Sequence, residues 1–129
     1  LKCLIPGLEV RGIDISQYAL RHAKKEIKPF LKWGSACRLP YPDKYFDLVI
    51  SLNTLHFLYL YDLEKAIHEI ERVKRGGSYI VEESYRNEAE KNNLLLWQLT
   101  CECFFTPKEW EWVFKKFGYT GDYSFIFFE

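Results

Sequence analysis

Gly34-Ser35-Ala36-Cys37-Arg38-Leu39-Pro40-Tyr41-Pro42-Asp43-Lys44-Tyr45-Phe46-Asp47-Leu48-Val49-Ile50-Ser51 is the stretch whose reading decides the fold. Its first part, Gly34 to Lys44, carries Pro40 and Pro42 and reads as a loop. Its second part, Tyr45 to Ser51, is a nearly continuous apolar run, the pattern of a parallel strand covered on both faces. Upstream, Phe30 to Trp33 is a short strand candidate, and Leu4 to Ile15 holds another, alternating from Leu8 onward and entered through the Pro6-Gly7 turn. Between these strands Ser16 is a good N-cap. Ala19, Leu20, Ala23 and Ile27 then share one helical face, and Pro29 helps to end it. Downstream, Asp62 can cap a helix whose Leu63, Ala66, Ile67, Ile70 and Val73 follow helical spacing, and Gly76-Gly77 is expected to stop it before a strand from Ser78 to Glu83.

The remainder continues this alternation. Arg86 to Asn93 is polar and reads as a loop or helix start. Thr106-Pro107-Lys108-Glu109 is a capping box with proline at the first helical position. Trp110, Val113, Phe114 and Phe117 form an apolar stripe, Gly118 is a natural stop, and the tail from Tyr119 to Phe128 is β-prone. Strands alternating with helices predict a parallel sheet with helices on both faces, which binds ligands beyond the carboxyl ends of its strands. The loops after the strands, near Asp14, Ser35, Ser51 and Glu82, are therefore where chemistry is expected.

Composition narrows the function classes. Lys plus Arg equals Asp plus Glu at 18 each, so the chain lacks the basic surplus that nucleic acid or an anionic membrane selects. The apolar runs are far short of the ~20 residues that span a bilayer, which predicts a soluble, cytoplasmic protein. With 129 residues it fits a single domain spanning 1–129. Cys3, Cys37, Cys101 and Cys103 offer one C-x-C and no clustered histidines, so no metal site is expected and the thiols are expected to stay reduced. There is no methionine, so Leu1 is not an ordinary translation start, and a segment upstream of it is expected.

Three pieces in order carry a family resemblance: Gly12-Ile13-Asp14-Ile15-Ser16 before a helix, the Gly34 to Asp47 stretch, and Glu71-Arg72-Val73-Lys74-Arg75-Gly76-Gly77. Together they resemble the class I S-adenosylmethionine-dependent methyltransferases. Gly34, Ala36, Leu39, Pro40, Asp43, Phe46 and Asp47 match the family's "G-D-A-x-x-L-P-F-x-D-x-x-F-D" segment. The resemblance runs from about Val10 to Val81. It implies a Rossmann-like three-layer α/β sandwich, mostly parallel, ending in an antiparallel C-terminal strand. It also implies S-adenosylmethionine as cofactor, S-adenosylhomocysteine as product, and a small-molecule O, N or C nucleophile as substrate.

Carried onto this sequence, the resemblance points to Asp14 and Ile15 at the ribose, Ser35, Ala36 and Cys37 at the adenine, and Ser51, Leu52 and Asn53 near the methionine. Asp14 alone reads equally well as support for Ser16 at a helix start. Ser35 stands where the family usually carries an acidic residue. His56 is the only histidine in these loops and is a candidate general base, against the alternative of a packed residue at a helix start. Glu82, Glu83, Tyr85 and Arg86 close a strand; the carboxylates there are candidates for a cationic or hydroxylated acceptor and Arg86 for an anionic one, with Glu83, Tyr85 and Arg86 singled out, against a solvated strand-to-helix loop. Trp97, Phe104, Phe105, Trp110 and Trp112 could line an apolar pocket, although Trp110, Phe114 and Phe117 at helical spacing are read as core.

The chain departs from the pattern at its start. No glycine-rich turn precedes Asp14, and the first strand, central in this family, is absent. An upstream segment, a second copy or strand exchange is expected to fill that position. The alternative function is a non-catalytic methyltransferase-like module without a complete cofactor pocket. A nicotinamide-dependent oxidoreductase shares the acidic strand end but does not explain Leu39-Pro40 followed by Phe46-Asp47.

Overall fold

The computed structural model describes residues 5–129. They form two compact units, Leu1–Pro40 and Tyr41–Glu129. The strand predicted from Leu4 begins at a residue outside the described ones.

In the first unit, the turn predicted at Pro6-Gly7 is present, with Gly7 at φ 80° and the Leu8 amide donating to the Ile5 carbonyl. Strand β1 (Gly12–Asp14) pairs in parallel with β2 (Leu31–Trp33), which places Asp14 opposite Trp33. Between them, α1 (Gln17–His22) starts where the sequence indicates: the Ser16 hydroxyl accepts from the Ala19 amide. The helix is much shorter than the apolar face through Ile27 predicts. None of its residues is buried, and without a packed face a helix of this length gains little from propensity alone.

The second unit is a parallel three-stranded sheet in the order β3 (Phe46–Leu52), β4 (Lys74–Glu83), β5 (Asp122–Ile126). The connections are α2 (Leu60–Val73), α3 (Glu88–Trp97) and α4 (Pro107–Lys116). The expected antiparallel C-terminal strand is corrected: β5 runs parallel to β4, with Ile80 opposite Tyr123. The link from β4 to β5 carries α3 and α4 and is long enough for the crossover that a parallel pair requires.

A second correction concerns Gly76-Gly77. Helix α2 already ends at Val73, and both glycines lie inside β4. Gly76 is needed for approach, because a Cβ there would come within 2.2 Å of the Asp47 carbonyl oxygen. The β3–β4 register shifts between Phe46 and Leu48 at the same place. Asp62, expected to cap α2, lies in its first turn instead, after Tyr59 at the cap position.

Paired residues of a parallel ladder share a face. Ser78, Ile80 and Glu82 are buried, and so are Leu63, Ala66, Ile67, Ile70 and Val73 of α2. Phe114 of α4 meets Tyr123, which shares that side through its pairing with Ile80. The other side carries Leu48, Ile50 and Leu52 at 56%, 42% and 60% exposure, so β3 is not covered on both faces as its apolar run predicts. The capping box of α4 forms as read: the Thr106 hydroxyl accepts from the Glu109 amide while the Glu109 carboxylate accepts from the Thr106 amide. Trp110, Val113 and Phe114 are buried behind it, and Gly118 ends the segment at φ 74°.

Candidate functional site at the strand ends

At the carboxyl ends of β1 and β2, Asp14 and the 35–37 segment are neighbours. The Gly34 amide donates to the Asp14 carbonyl at 3.1 Å, so the loop after β2 leaves alongside the end of β1. Asp14 is exposed, and its Oδ1 accepts from the Ser16 amide at 2.7 Å. That contact is the helix-start role read from the sequence. Among the described residues it occupies one carboxylate oxygen and leaves the other to accept from a ligand. Trp33 Nε1 donates to the Ile15 carbonyl at 3.0 Å, which ties the segment after β1 to the end of β2. Gly34 has the Ile13 side chain 3.3 Å from where its Cβ would stand, so glycine lets the two strand ends close up. The Ser35 hydroxyl accepts from the Cys37 amide at 3.1 Å, and Ser35 also bridges to Arg38. Ser35, Ala36 and Cys37 are all half-buried.

At the carboxyl ends of β3 and β4 the construction differs. Ser51 and Leu52 are the last residues of β3, opposite Ile80 and Val81. Asn53 follows with φ 47°, in the left-handed region that asparagine tolerates better than most residues. Its amide donates to the Val81 carbonyl at 2.8 Å, while its side-chain Oδ1 is buried without a hydrogen-bond partner among the described residues. The chain then makes a 3-10 turn (Leu55–Phe57), and the Glu82 carboxylate sits at its start. Glu82 Oε1 accepts from the Thr54 and Leu55 amides at 3.3 and 2.9 Å, and Oε2 from the His56 amide at 3.3 Å and from Nδ1 at 2.7 Å.

His56 is therefore fully buried, which matches the packed reading of this residue more closely than an open base. Its carbonyl accepts from the Glu102 and Cys103 amides, and the Cys101 thiol donates to it as well. Burial and the neighbouring negative groups push the Cys101 thiol up to about 12 and the Cys103 thiol up to about 11, so both stay protonated. Cys101 and Cys103 form no disulfide, and no metal-holding cluster exists among the described residues.

The residues expected to hold an acceptor are largely occupied. Glu83 is buried; its Oε1 accepts from the Gln98 side chain at 3.0 Å and its carbonyl from Trp110 Nε1 at 3.2 Å. Tyr85 packs on Phe104 with centroids 5.4 Å apart. Arg86 is held by Glu90 and Glu129, and those carboxylates, Glu90 foremost, raise its pKa further. The family segment's carboxylates also have structural partners. Asp43 accepts from Arg72 at 2.8 Å and Asp47 from Arg75 at 2.5 and 3.0 Å, so within the second unit the two carboxylates of the first motif are tied to the two arginines of the Glu71 to Gly77 motif. What the sequence reading missed is the reach of Glu82. Alternation along β4 was the available signal, since it turns Ser78, Ile80 and Glu82 inward together.

Comparison with known proteins agrees with this architecture. The chain is 35% identical over 81 residues to ajmaline N-methyltransferase of Rauvolfia serpentina, covering 57% of this chain and 27% of that protein. It is 33% identical over 85 residues to demethylmenaquinone methyltransferase of Lysinibacillus sphaericus, covering 62% of this chain and 36% of that protein. These matched stretches thus span about a third or less of those relatives. The solved structure of the YcgJ protein of Bacillus subtilis superposes with a TM-score of 0.65 at 22% identity, over 82% of this chain and 50% of that one, and shows the fold to be Rossmann-like. The sequence profile of the methyltransferase domain matches residues 2–81, more than half of the 129. The chain belongs to the methyltransferase-domain family.

Proposed function

We propose that the full-length protein transfers a methyl group from S-adenosylmethionine to an oxygen, nitrogen or carbon nucleophile of a small molecule. The observation that carries this reading is the pairing of Asp14 with Trp33, which sets an exposed carboxylate beside the Ser35–Cys37 segment at two adjacent strand ends. Such an end suits a nucleoside, because a carboxylate oxygen can accept from ribose hydroxyls while the next loop meets the base. The orphaned Oδ1 of Asn53, in the second unit, suits a cationic or N–H-bearing ligand group. When bound, the cofactor supplies a methyl group already activated as a sulfonium.

The protein's own part is alignment. Asp14 and Ile15 would hold the ribose, Ser35, Ala36 and Cys37 the adenine, and Ser51, Leu52 and Asn53 the methionine portion. Bringing a nucleophile into line with a bound methyl group can by itself supply much of the acceleration, so a base is not required of His56. Glu83, Tyr85 and Arg86 are assigned to the acceptor side. A cytoplasmic setting is part of the same proposal; no helix among the described residues is long and apolar enough to cross a membrane.

A second reading is a methyltransferase-like module that folds against a partner or a second copy without catalysing. The exposed Leu48, Ile50 and Leu52 on β3 favour it, because apolar strand faces of this kind are normally covered. Calorimetric titration of S-adenosylmethionine into residues 1–129, and into the protein with its upstream sequence, separates the two. Binding by the longer form supports the enzyme, and binding by neither supports the module.

A further inference from the structure

Glu82 is a fully buried carboxylate, yet its hydrogen bonds are to neither lysine nor arginine. It accepts instead from three successive amides, of Thr54, Leu55 and His56, and from one imidazole nitrogen. The three amides are the donors left unsatisfied at the start of a helical turn, and the Thr54 side chain makes no cap for the turn after it. A carboxylate from the neighbouring strand supplies that cap from outside the segment. Both its oxygens are engaged as acceptors, which leaves the ionised form as the one that satisfies all four donors.

The same contacts fix a proton on His56. An ionised carboxylate only accepts, so the 2.7 Å contact requires the proton on Nδ1. Nε2 lies 3.9 Å from Glu83 Oε2, beyond hydrogen-bond reach, and neither atom has a partner among the described residues. A proton on Nε2 would draw these two groups to about 2.8 Å as a charge-assisted bond. The nearby thiols of Cys101 and Cys103 stay protonated and donate to backbone carbonyls, of His56 and Leu58, rather than to the ring.

We propose that Glu82 is a positioning residue. Its carboxylate fixes the turn after β3 and holds His56 as the Nδ1–H tautomer, with Nε2 an unprotonated acceptor facing Glu83. The proposal rests on the methyltransfer reading and deepens it: the segment shaped by Glu82 begins at Asn53, which that reading sets beside the methionine end of the cofactor. Glu82 itself touches no ligand and acts through the turn.

Long-range proton–nitrogen NMR of the His56 ring tests the tautomer in the full-length protein, with His56→Gln identifying the signal. The expected wild-type spectrum has Nδ1 protonated and Nε2 bare. In Glu82→Gln an amide group faces Nδ1 and donates to it, so the proton is expected to move to Nε2, while affinity for S-adenosylmethionine falls about tenfold, the cost of one buried donor left unpaired. Glu82→Asp, which keeps a carboxylate, is expected to keep the wild-type tautomer and recover part of the affinity. A protonated Nε2 in the wild type overturns the proposal. So does a Glu82→Gln protein that folds with unchanged tautomer and unchanged affinity. If Glu82→Gln does not fold, the wild-type spectrum and Glu82→Asp decide. Wild-type protein that shows the expected tautomer but binds no cofactor would instead sink the methyltransfer reading and leave the role of Glu82 in the turn standing.

Discussion

The strand ends of the two units carry carboxylates put to opposite uses. At the end of β1, Asp14 is exposed and accepts one amide among the described residues. At the end of β4, Glu82 is fully buried and accepts four N–H donors. The first has accepting capacity left for a ligand, whereas the second has given all of it to the backbone and one histidine. A carboxylate at a strand end is therefore no guide to ligand contact until its bonding is known. Exposure separates a group whose loss should affect binding from one whose loss should affect folding first.

The sharpest way to break this contrast is Glu82→Ala. Removing the carboxylate leaves the Thr54, Leu55 and His56 amides and Nδ1 without their acceptor, and Leu55 and His56 are buried. Buried networks that lose one charged partner cost about 3–5 kcal/mol, and the same range is expected here from urea denaturation. A loss below about 1 kcal/mol would mean that the turn is not held by Glu82.

A smaller effect is expected at the capping box, which lies outside both strand ends and serves as a reference. Thr106→Ala removes the hydroxyl that accepts from the Glu109 amide and donates to its carboxylate, with an expected loss of about 1 kcal/mol near neutral pH. The Thr106 amide, and then its hydroxyl, lower the Glu109 pKa from 4.5, against a small opposing effect of burial. A depressed carboxylate adds stability above its unfolded pKa and loses it as pH falls through the folded value. The gap between wild type and Thr106→Ala should therefore narrow in urea titrations as pH drops below about 4.5. A gap that widens on acidification would contradict the pairing.

Local signals in this sequence translate directly into structure. Ser16 caps α1 and Thr106-Pro107-Lys108-Glu109 caps α4, because a cap needs only residues within one turn of each other. The apolar spacing of α2 likewise appears as its buried stripe. What depends on distant partners was not legible. Gly76 and Gly77 look like a helix stop, yet Gly76 is fixed by the Asp47 carbonyl on the neighbouring strand. The direction of β5 is set by its pairing with β4 and is not written in its own residues. Asp14 and the Ser35 segment were legible as strand-end residues from the alternation of elements, and the parallel pairing of β1 with β2 is what sets them side by side. A packed His56 was one of the sequence readings, but the groups that hold it, Glu82 and the 101–103 segment, were not legible because they lie far along the chain.

The smallest expected effect on stability is at Asp14, and it is the most informative about function. Asp14→Asn keeps an oxygen that can accept from the Ser16 amide, so the start of α1 survives, and an exposed change of this kind should stay within about 0.5 kcal/mol. What it removes is the charge and one accepting oxygen. If Asp14 holds ribose hydroxyls, a charge-assisted bond becomes a neutral one, and S-adenosylmethionine affinity should fall about tenfold or more, since bonds to charged groups contribute about 1.5–3 kcal/mol. Denaturation and calorimetry on the same full-length variant would then move in opposite senses from those expected for Glu82→Ala, with binding weakened while folding is kept. Should Asp14→Asn bind the cofactor as the wild type does, the carboxylate at the end of β1 would be a helix-start residue only, and the two strand ends would differ in exposure but not in role.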